Sequence, residues 1–556
     1  MQSETKNCQN CKKDFVIEPD DFGFYEQMKV PPPVWCPQCR LLRRMNWYSY
    51  RILYKRKCDF TGENIITIYH PDLPYKVYKQ DIWWSDKWDP KSYGREYDFS
   101  RPFFEQFKEF LDEVPKAALH TEYTTMINSE YCNAASYQKN GYLCFKHITG
   151  EDSAYTNVAS NTKDSLDVAY SLDPELCYEI VDCRKCFQVF FSQDCENCQN
   201  IYFSRDLMNC GDCFGCTSLR NKNYCIFNQQ YSKVDYDKSM AGFSFCDEAK
   251  VLETEKKLEE LKLKSPRQAM MALNCENVTG NYIFNCKNCS DCFSISRNED
   301  CNYNIQTVDN KDCYDMNYTE ENELCYEYLG NYRNHTALFC AFPYGCHDIW
   351  YCDYVTNCKH CFGCVAIKNR EYCILNKQYS KDEYFELKDR LVAMMKEGGE
   401  FGEFFPVNIS PFAYNESVAY DYFPFTKEEV LKRGYRFRDE DKSEFQPTSY
   451  VPPVDIKDVP DSICNEILSC EISGRNYKIT PAELKFYRLM KLPIPRKHFI
   501  ERHKARLAKR LPYELFDRKC GKCGVEIKTA YKPDTVNGHS ASLRVCCEKC
   551  YLETVY

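Results

Sequence analysis

The chain has 556 residues, among them 38 Cys and 44 Tyr, and a net charge of −9. A hydrophobic fraction of 44% excludes a disordered chain, no run approaches the ~20 apolar residues of a membrane-spanning helix, and the N-terminus lacks a secretory h-region, so a cytoplasmic protein with no membrane contact is expected. The acidic balance argues against a general polyanion binder, and many cysteines without an export signal point to metal sites or reduced thiols before disulfides.

Residues 1–95 read as a tandem ribbon module. Cys8-x2-Cys11 and Cys36-x2-Cys39 are two knuckles whose spacing closes one tetrahedral structural Zn²⁺ site, with a hairpin between them. Cys58 opens a second site of the same design, but Thr61, Lys79 and Ile82 stand at its other three positions, so this ribbon is expected to hold no metal. Segment 40–57, RLLRRMNWYSYRILYKRK, has seven basic residues and no acid. Arg40, Arg43, Arg44, Trp47, Arg51, Lys55 and Arg56 are therefore candidate contacts to single-stranded nucleic acid, against the plainer reading that ribbon helices are often basic and simply solvated. The stretch CQNCKKDFVIEPDDFGFYEQMKVPPPVWCPQCRLLRR resembles the family of probable zinc-ribbon, treble-clef-like domains in its C-x2-C, Phe-rich hairpin, FYE-like turn and CPxCR helix start. The resemblance covers about residues 5–45, and more loosely 467–507, and implies a zinc-bound fold rather than an activity. Such ribbons around a cysteine-rich middle are also similar to large bacterial proteins of unestablished function.

Residues 96–140 carry a connecting helix, PFFEQFKEFLDEVPK, preceded by the aromatic run WWSDKW (Trp83, Trp84, Trp88), and both read as packing elements. From there cysteines recur every 12 residues: Cys186, Cys198, Cys210; Cys213, Cys225; Cys289, Cys301, Cys313, Cys325; Cys340, Cys352, Cys364. An offset of 148 superposes two arrays, 141–235 and 289–383, with ELCYE and CI(F/L)N(Q/K)QYSK recurring in both. Within a row of 12 the special positions fall every three residues, which neither an amphipathic helix nor an alternating strand produces. A short fixed period predicts stacked coils whose narrow interior admits only small side chains, a β-solenoid similar in geometry to the insect antifreeze proteins, with a chain of zinc knuckles as the rival. Asn298, Asn310, Asn322 and Asn334 form a polar column expected to stack at left-handed corners. The runs Cys210, Cys213, Cys216 and Cys358, Cys361, Cys364 read as inward small hydrophobes before metal ligands, because a period of three spreads them around the coil. An outward aromatic stripe, Phe190, Tyr202, Phe214, Tyr314, Tyr326, Trp350 and Phe362, is a candidate face for a protein or other macromolecular partner, or is partly buried by the connecting helices.

Residues 236–288 are read as a helical insert and 384–462 as a helix, ordered connector and linker. Residues 463–556 repeat the N-terminal module at an offset of 462, with the two sites reversed in quality. The first keeps Cys470 but has Ser473, His498 and Glu501, at best a weak metal site. The second is complete, with Cys520, Cys523, Cys547 and Cys550, Cys546 spare, and a small insertion near Asn537–Ser542. Lys504, Arg506 and Arg510 repeat the basic segment.

The fold expected is thus mainly β, two duplicated arrays of 12-residue coils flanked by duplicated zinc-ribbon modules with a few connecting helices and about two structural Zn²⁺. No nucleophile elbow, Walker loop, HExxH or dinucleotide fingerprint is present, and a four-cysteine site leaves a metal no open position. A non-catalytic binding or scaffold protein is the leading reading. Nucleic-acid binding through the terminal modules is the alternative, opposed by the 13 acidic against six basic residues of 289–372. A thiol- or metal-dependent enzyme, or a metal store, comes third.

Overall fold

A computed structural model describes residues 2–439, 445, 446, 448, 450–533 and 543–555. The expected insertion near Asn537–Ser542 lies outside the described residues. Two long sheets dominate, one of 14 strands between Met126 and Gln230 and one of 11 strands between Ala272 and Gln378. Apart from a closing hairpin in each sheet and one shorter coil, their pairings are parallel and partners lie 12 residues apart: Ala159 beside Ser171, Ile201 beside Cys213, Cys313 beside Cys325, Cys361 beside Cys373. The cysteine spacing is therefore the pitch of the ladder.

Backbone conformation shows how strands this short turn. Through both stacks a left-handed φ recurs about every third residue, as at Asp309, Asp312, Asp315 and Tyr318. Asn and Asp tolerate that conformation best among residues with a Cβ, which accounts for their abundance here. The N–H that follows a corner enters the coil and needs an acceptor. The inward side chain one rung below supplies it: Asn310 N–H donates to Asn298 Oδ1 (2.9 Å), Cys177 N–H to Ser165 Oγ (2.9 Å), and Cys352 N–H to Cys340 Sγ (3.4 Å). Inward thiols donate in turn to backbone carbonyls, as Cys313 does to Lys311 (3.1 Å). The interior thus selects side chains that are small and also accept a hydrogen bond, which Cys, Ser and Asn are and Leu is not.

The asparagine column forms, with Asn298, Asn310, Asn322 and Asn334 buried and each Oδ1 taking the N–H 12 residues on. Its backbone assignment needs correction. The left-handed residues are the preceding ones, Arg297, Asp309, Glu321 and Arg333, whose side chains face out.

The array boundaries also shift. The rungs Met126–Ile127 and Asn133–Lys139 lie within the segment 96–140, and Ala272–Leu273 and Glu276–Phe284 within the expected helical insert 236–288. The first coil of the second stack escaped notice because it has 11 residues, pairing Ala272 with Ile283 and Glu276 with Lys287. A bulge between Val278 and Gly280 restores the pitch. Gly280 has φ +140°, and a Cβ there would run into the Cys292 carbonyl, so glycine is required.

Each stack ends identically. The last rung folds back in an antiparallel hairpin (Cys225 beside Gln230, Cys373 beside Gln378) and a helix follows, Lys233–Met240 or Lys381–Glu397, capped by Ser232 or Ser380. These are the repeated CI(F/L)N(Q/K)QYSK motifs of the sequence.

The terminal modules cross. In the first half of the N-terminal module, helix Pro37–Met45 packs on strands Lys311–Glu320 and Glu323–Tyr332 of the second stack. Its C-terminal counterpart, Phe499–Leu507, packs on Leu166–Glu175 and Tyr178–Val181 of the first. The second halves of the modules pair the other way, Val77 with Lys116 at the start of the first stack and Val545 with Arg267 at the start of the second. Each module therefore bridges both stacks.

Candidate metal centres and the clamps behind them

The sequence builds each complete site from a tight knuckle and a helix start. Around Cys8 the chain turns back through Cys8 N–H to Lys13 O (2.9 Å) and Lys12 N–H to Cys8 O (2.9 Å), with Lys12 left-handed. Cys36 is the N-cap residue of helix Pro37–Met45, whose third residue is Cys39. The sulfurs of Cys8, Cys11, Cys36 and Cys39 all lie within 4.8 Å of one another, with Cys11 and Cys36 3.7 Å apart. Those of Cys520, Cys523, Cys547 and Cys550 do the same, with Cys523 and Cys547 3.8 Å apart. A tetrahedral ion bound through bonds of about 2.3 Å spaces its thiolates about 3.8 Å apart, so both quartets fit one ion each. Backbone N–H groups already point at the sulfurs, Cys36 N–H at Cys8 Sγ (3.2 Å) and Cys547 N–H at Cys520 Sγ (3.3 Å). The side-chain hydrogen bond from Cys39 holds the Cys36 thiol down to about 5, favouring the thiolate a metal needs. These two quartets could hold two metal ions and are the only such groups among the described residues.

The counterparts of these sites around Cys58 and Cys470 keep the knuckle without the quartet. Cys58 still accepts from Lys79 N–H (3.3 Å), as Cys8 does from Cys36, but hydrogen bonds to Thr61 and the chain replace the other ligands. In the C-terminal copy His498 does not serve Cys470 as a ligand partner. It caps helix Phe499–Leu507, Nδ1 accepting from Ile500 N–H (3.2 Å), and burial together with Arg475 and Arg502 lowers it to about 4.

All 38 cysteines are free. Outside the quartets only Cys246, Cys275 and Cys464 are not fully buried. With metal bound, a brief pulse of a thiol-reactive probe should label those three and spare the stack interiors. A chelator should add Cys11, Cys523 and Cys547, as read by peptide mass spectrometry.

The proposed nucleic-acid contacts lie elsewhere than expected. Arg40, Arg43 and Arg44 are 1%, 3% and 0% exposed, and Trp47 is buried against Phe405. Arg40 and Arg44 both reach Asp315 (2.8 and 3.0 Å), while Arg43 and Arg44 both reach Glu327. Arg51 pairs with Asp421, and Arg56 with Asp59 and the Tyr75 carbonyl. At the other end Arg506 joins Asp167 (2.7 Å) and Glu179 (2.8 Å), and Arg510 joins Asp182 (3.0 Å) while donating to Ser294 Oγ of the second stack. Only Lys55 and Lys504 face solvent, the latter paired with Glu501. Arg40, Arg43, Arg44, Arg506 and Arg510 answer carboxylates of the stacks, Arg51 and Arg56 answer Asp421 and Asp59 outside them, and a phosphate cannot reach the buried ones.

The aromatic stripe is covered in the same way. Tyr314 stacks on Phe24 at 3.8 Å, Tyr326 packs against Phe24 and Tyr25, Phe362 against Phe103, and Phe190 and Tyr202 against Phe245. Phe214 packs on Phe243, and Trp350 lies under Lys388 and Phe401. The stripe is an internal docking surface, not a face for a partner.

Sequence reasoning missed the other half of these clamps, the carboxylates. Shifting by 462 turns Arg40 and Arg44 into Arg502 and Arg506, and shifting by 148 turns Asp315 and Glu327 into Asp167 and Glu179, their partners. Asp21 accepts from Tyr303 Oη, and its copy Glu483 is bonded to Tyr155, the copy of Tyr303. Phe24–Tyr25 on Tyr326 matches Phe486–Tyr487 on Tyr178. Two duplications sharing one set of contacts was the available signal.

A cavity sits beneath the second half of each module, at corresponding places. Phe342, Asp353 and Tyr354 line one where Asp194, Arg205 and Asp206 line the other, and Tyr69 corresponds to Tyr531. In the first, burial lowers Lys116 to about 8 and raises Asp353 to about 6. Asp353 ionises in the unfolded chain near 3.8. Wild type should therefore lose stability relative to Asp353→Asn as pH rises from about 4 to about 6, with a difference of about 2–3 kcal/mol above that window, measured by denaturant unfolding at several pH values.

No family model matches the chain, and a search of curated proteins gave no match.

Proposed function

We propose that the chain is a zinc-stabilised, non-catalytic scaffold: two β-solenoids locked together by zinc-ribbon, treble-clef-like modules at either end. The duplicated, crossed clamp is the observation that carries this reading. The residues that carry potential chemistry, the arginines, rings and inner thiols, are spent on holding the parts together, as a support requires. Zinc is favoured by the donor set, four thiolates at tetrahedral spacing with no open position. Free thiols throughout fit a reducing compartment.

Regular polar columns remain outward, beside exposed apolar residues such as Ile127, Tyr137, Ile148 and Phe187. One column of the second stack runs Glu276, Lys287, Glu299, Lys311, Glu323, and a column of the first runs Lys139, Glu151, Lys163, Glu175. Alternating charge neutralises each column vertically, with pairs such as Lys139 to Glu151 at 2.6 Å. Such a face suits presentation of a flat, repetitive surface to a macromolecular partner. Elemental analysis of the purified protein should give two zincs per chain. Eight or more would replace the scaffold with a metal store, and turnover lost on changing a single Cys or His would replace it with an enzyme.

A further inference from the structure

The cavity under the C-terminal ribbon belongs neither to the metal centres nor to the clamps. Its walls are Asp194, Arg205 and Asp206 of the first stack, Arg267 and Tyr282 leading into the second, and Tyr531 and Tyr551 of the ribbon. Both carboxylates are already engaged. Asp194 takes Arg205 (3.0 Å) and the Tyr282 hydroxyl (2.6 Å), and Asp206 takes Arg220 (2.7 Å) and the Tyr551 hydroxyl.

Arg267 is left over. It is 6% exposed, its Nη2 donates to the Lys262 carbonyl (3.3 Å), and its Nε has no partner. Among the described residues no carboxylate forms an ion pair with it: burial and the like charge of Arg205 oppose its protonated form, and Asp194 and Asp206 favour it only from a distance. The sister cavity has no such conflict, because Asp353 stands there in place of Arg205. There the corresponding strand position carries Lys116, which burial pushes down to about 8 so that it can shed its proton. A guanidinium cannot do so. Arg205, Arg220 and Arg267 thus stand against two carboxylates, one positive charge in excess, and a buried excess cation is unfavourable; the unpartnered Arg267 Nε with Arg205 and the Tyr531 hydroxyl beside a polar cavity make an anion's donor set. The free space, about 30 Å³, admits only a few atoms of water size.

We propose that this cavity binds a small inorganic oxyanion, phosphate or sulfate, held by Arg267 and Arg205. The proposal is independent of the scaffold reading. Thermal unfolding of the full chain in chloride buffer of constant ionic strength, titrated with inorganic phosphate or sulfate, should show a saturable rise in Tm of a few degrees. Arg267→Met should abolish that rise, and without oxyanion its Tm should equal or exceed that of wild type, because the unmatched charge is gone. Arg267→Lys, which keeps the shape of the site, should fold and require at least about tenfold more phosphate for half its effect. No rise beyond the chloride control in wild type, an undiminished rise in Arg267→Met, or unchanged phosphate dependence in Arg267→Lys would each overturn the assignment.

Discussion

Asp315→Ala is expected to destabilise the protein by about 3–5 kcal/mol, the usual consequence of deleting one member of a buried ionic cluster. Asp315 is 0% exposed and neutralises Arg40 and Arg44 together, and the alanine leaves three guanidiniums, those of Arg40, Arg43 and Arg44, around Glu327. Asp167→Ala should do the same where Arg502 and Arg506 converge. Denaturant unfolding measures the loss, and combining Asp315→Ala with Arg40→Met and Arg44→Met should recover part of it, since the desolvated charges go too. The surface ladder is the control. Glu151→Ala removes an exposed pair with Lys139 and should stay within about 0.5 kcal/mol. Charge reversal at Arg43 and Arg44 would undock the N-terminal module, so a loss of any binding in that variant would report on folding.

Metal removal is the second large effect. Cys39→Ser should lower the bound metal from two ions per chain to one and open the first ribbon, while Cys58→Ser should leave the metal content unchanged, because Cys58 belongs to no quartet. Binding of a structural zinc supplies about 10–16 kcal/mol in isolated finger peptides, far more than the small Phe15–Trp35 cluster around the N-terminal quartet can provide. Elemental analysis reads the stoichiometry. Limited proteolysis reads the consequence, with new cleavage near Gln9–Lys13 in the Cys39→Ser variant. Because helix Pro37–Met45 carries both Cys39 and the three clamp arginines, loss of the metal should also weaken docking on the second stack.

Much of the architecture was legible because it is written in spacing. The 12-residue pitch, the inward cysteines and the two quartets follow from rules local to a coil or a knuckle: one rung repeats the last, and a tetrahedral site needs two C-x2-C turns. The 11-residue coil at Ala272 evaded detection because it breaks the period, and the rungs from Met126 because they carry it in a single cysteine, Cys132, 12 residues before Cys144. The asparagine column was found but placed one residue off its corner, since composition shows which residue stacks and not which φ precedes it.

By itself, then, the sequence determined the repeats, the duplications and the thiol groups able to take metal. Tertiary structure decided what the arginines and rings are for. Arg44 lies 271 residues from Asp315, and Phe24 290 from Tyr314. A basic aromatic segment has the same pattern whether it meets phosphates in solvent or carboxylates across an interface. Long-range docking covers one face of each stack and leaves the other open, and no periodicity within a segment encodes which face that is.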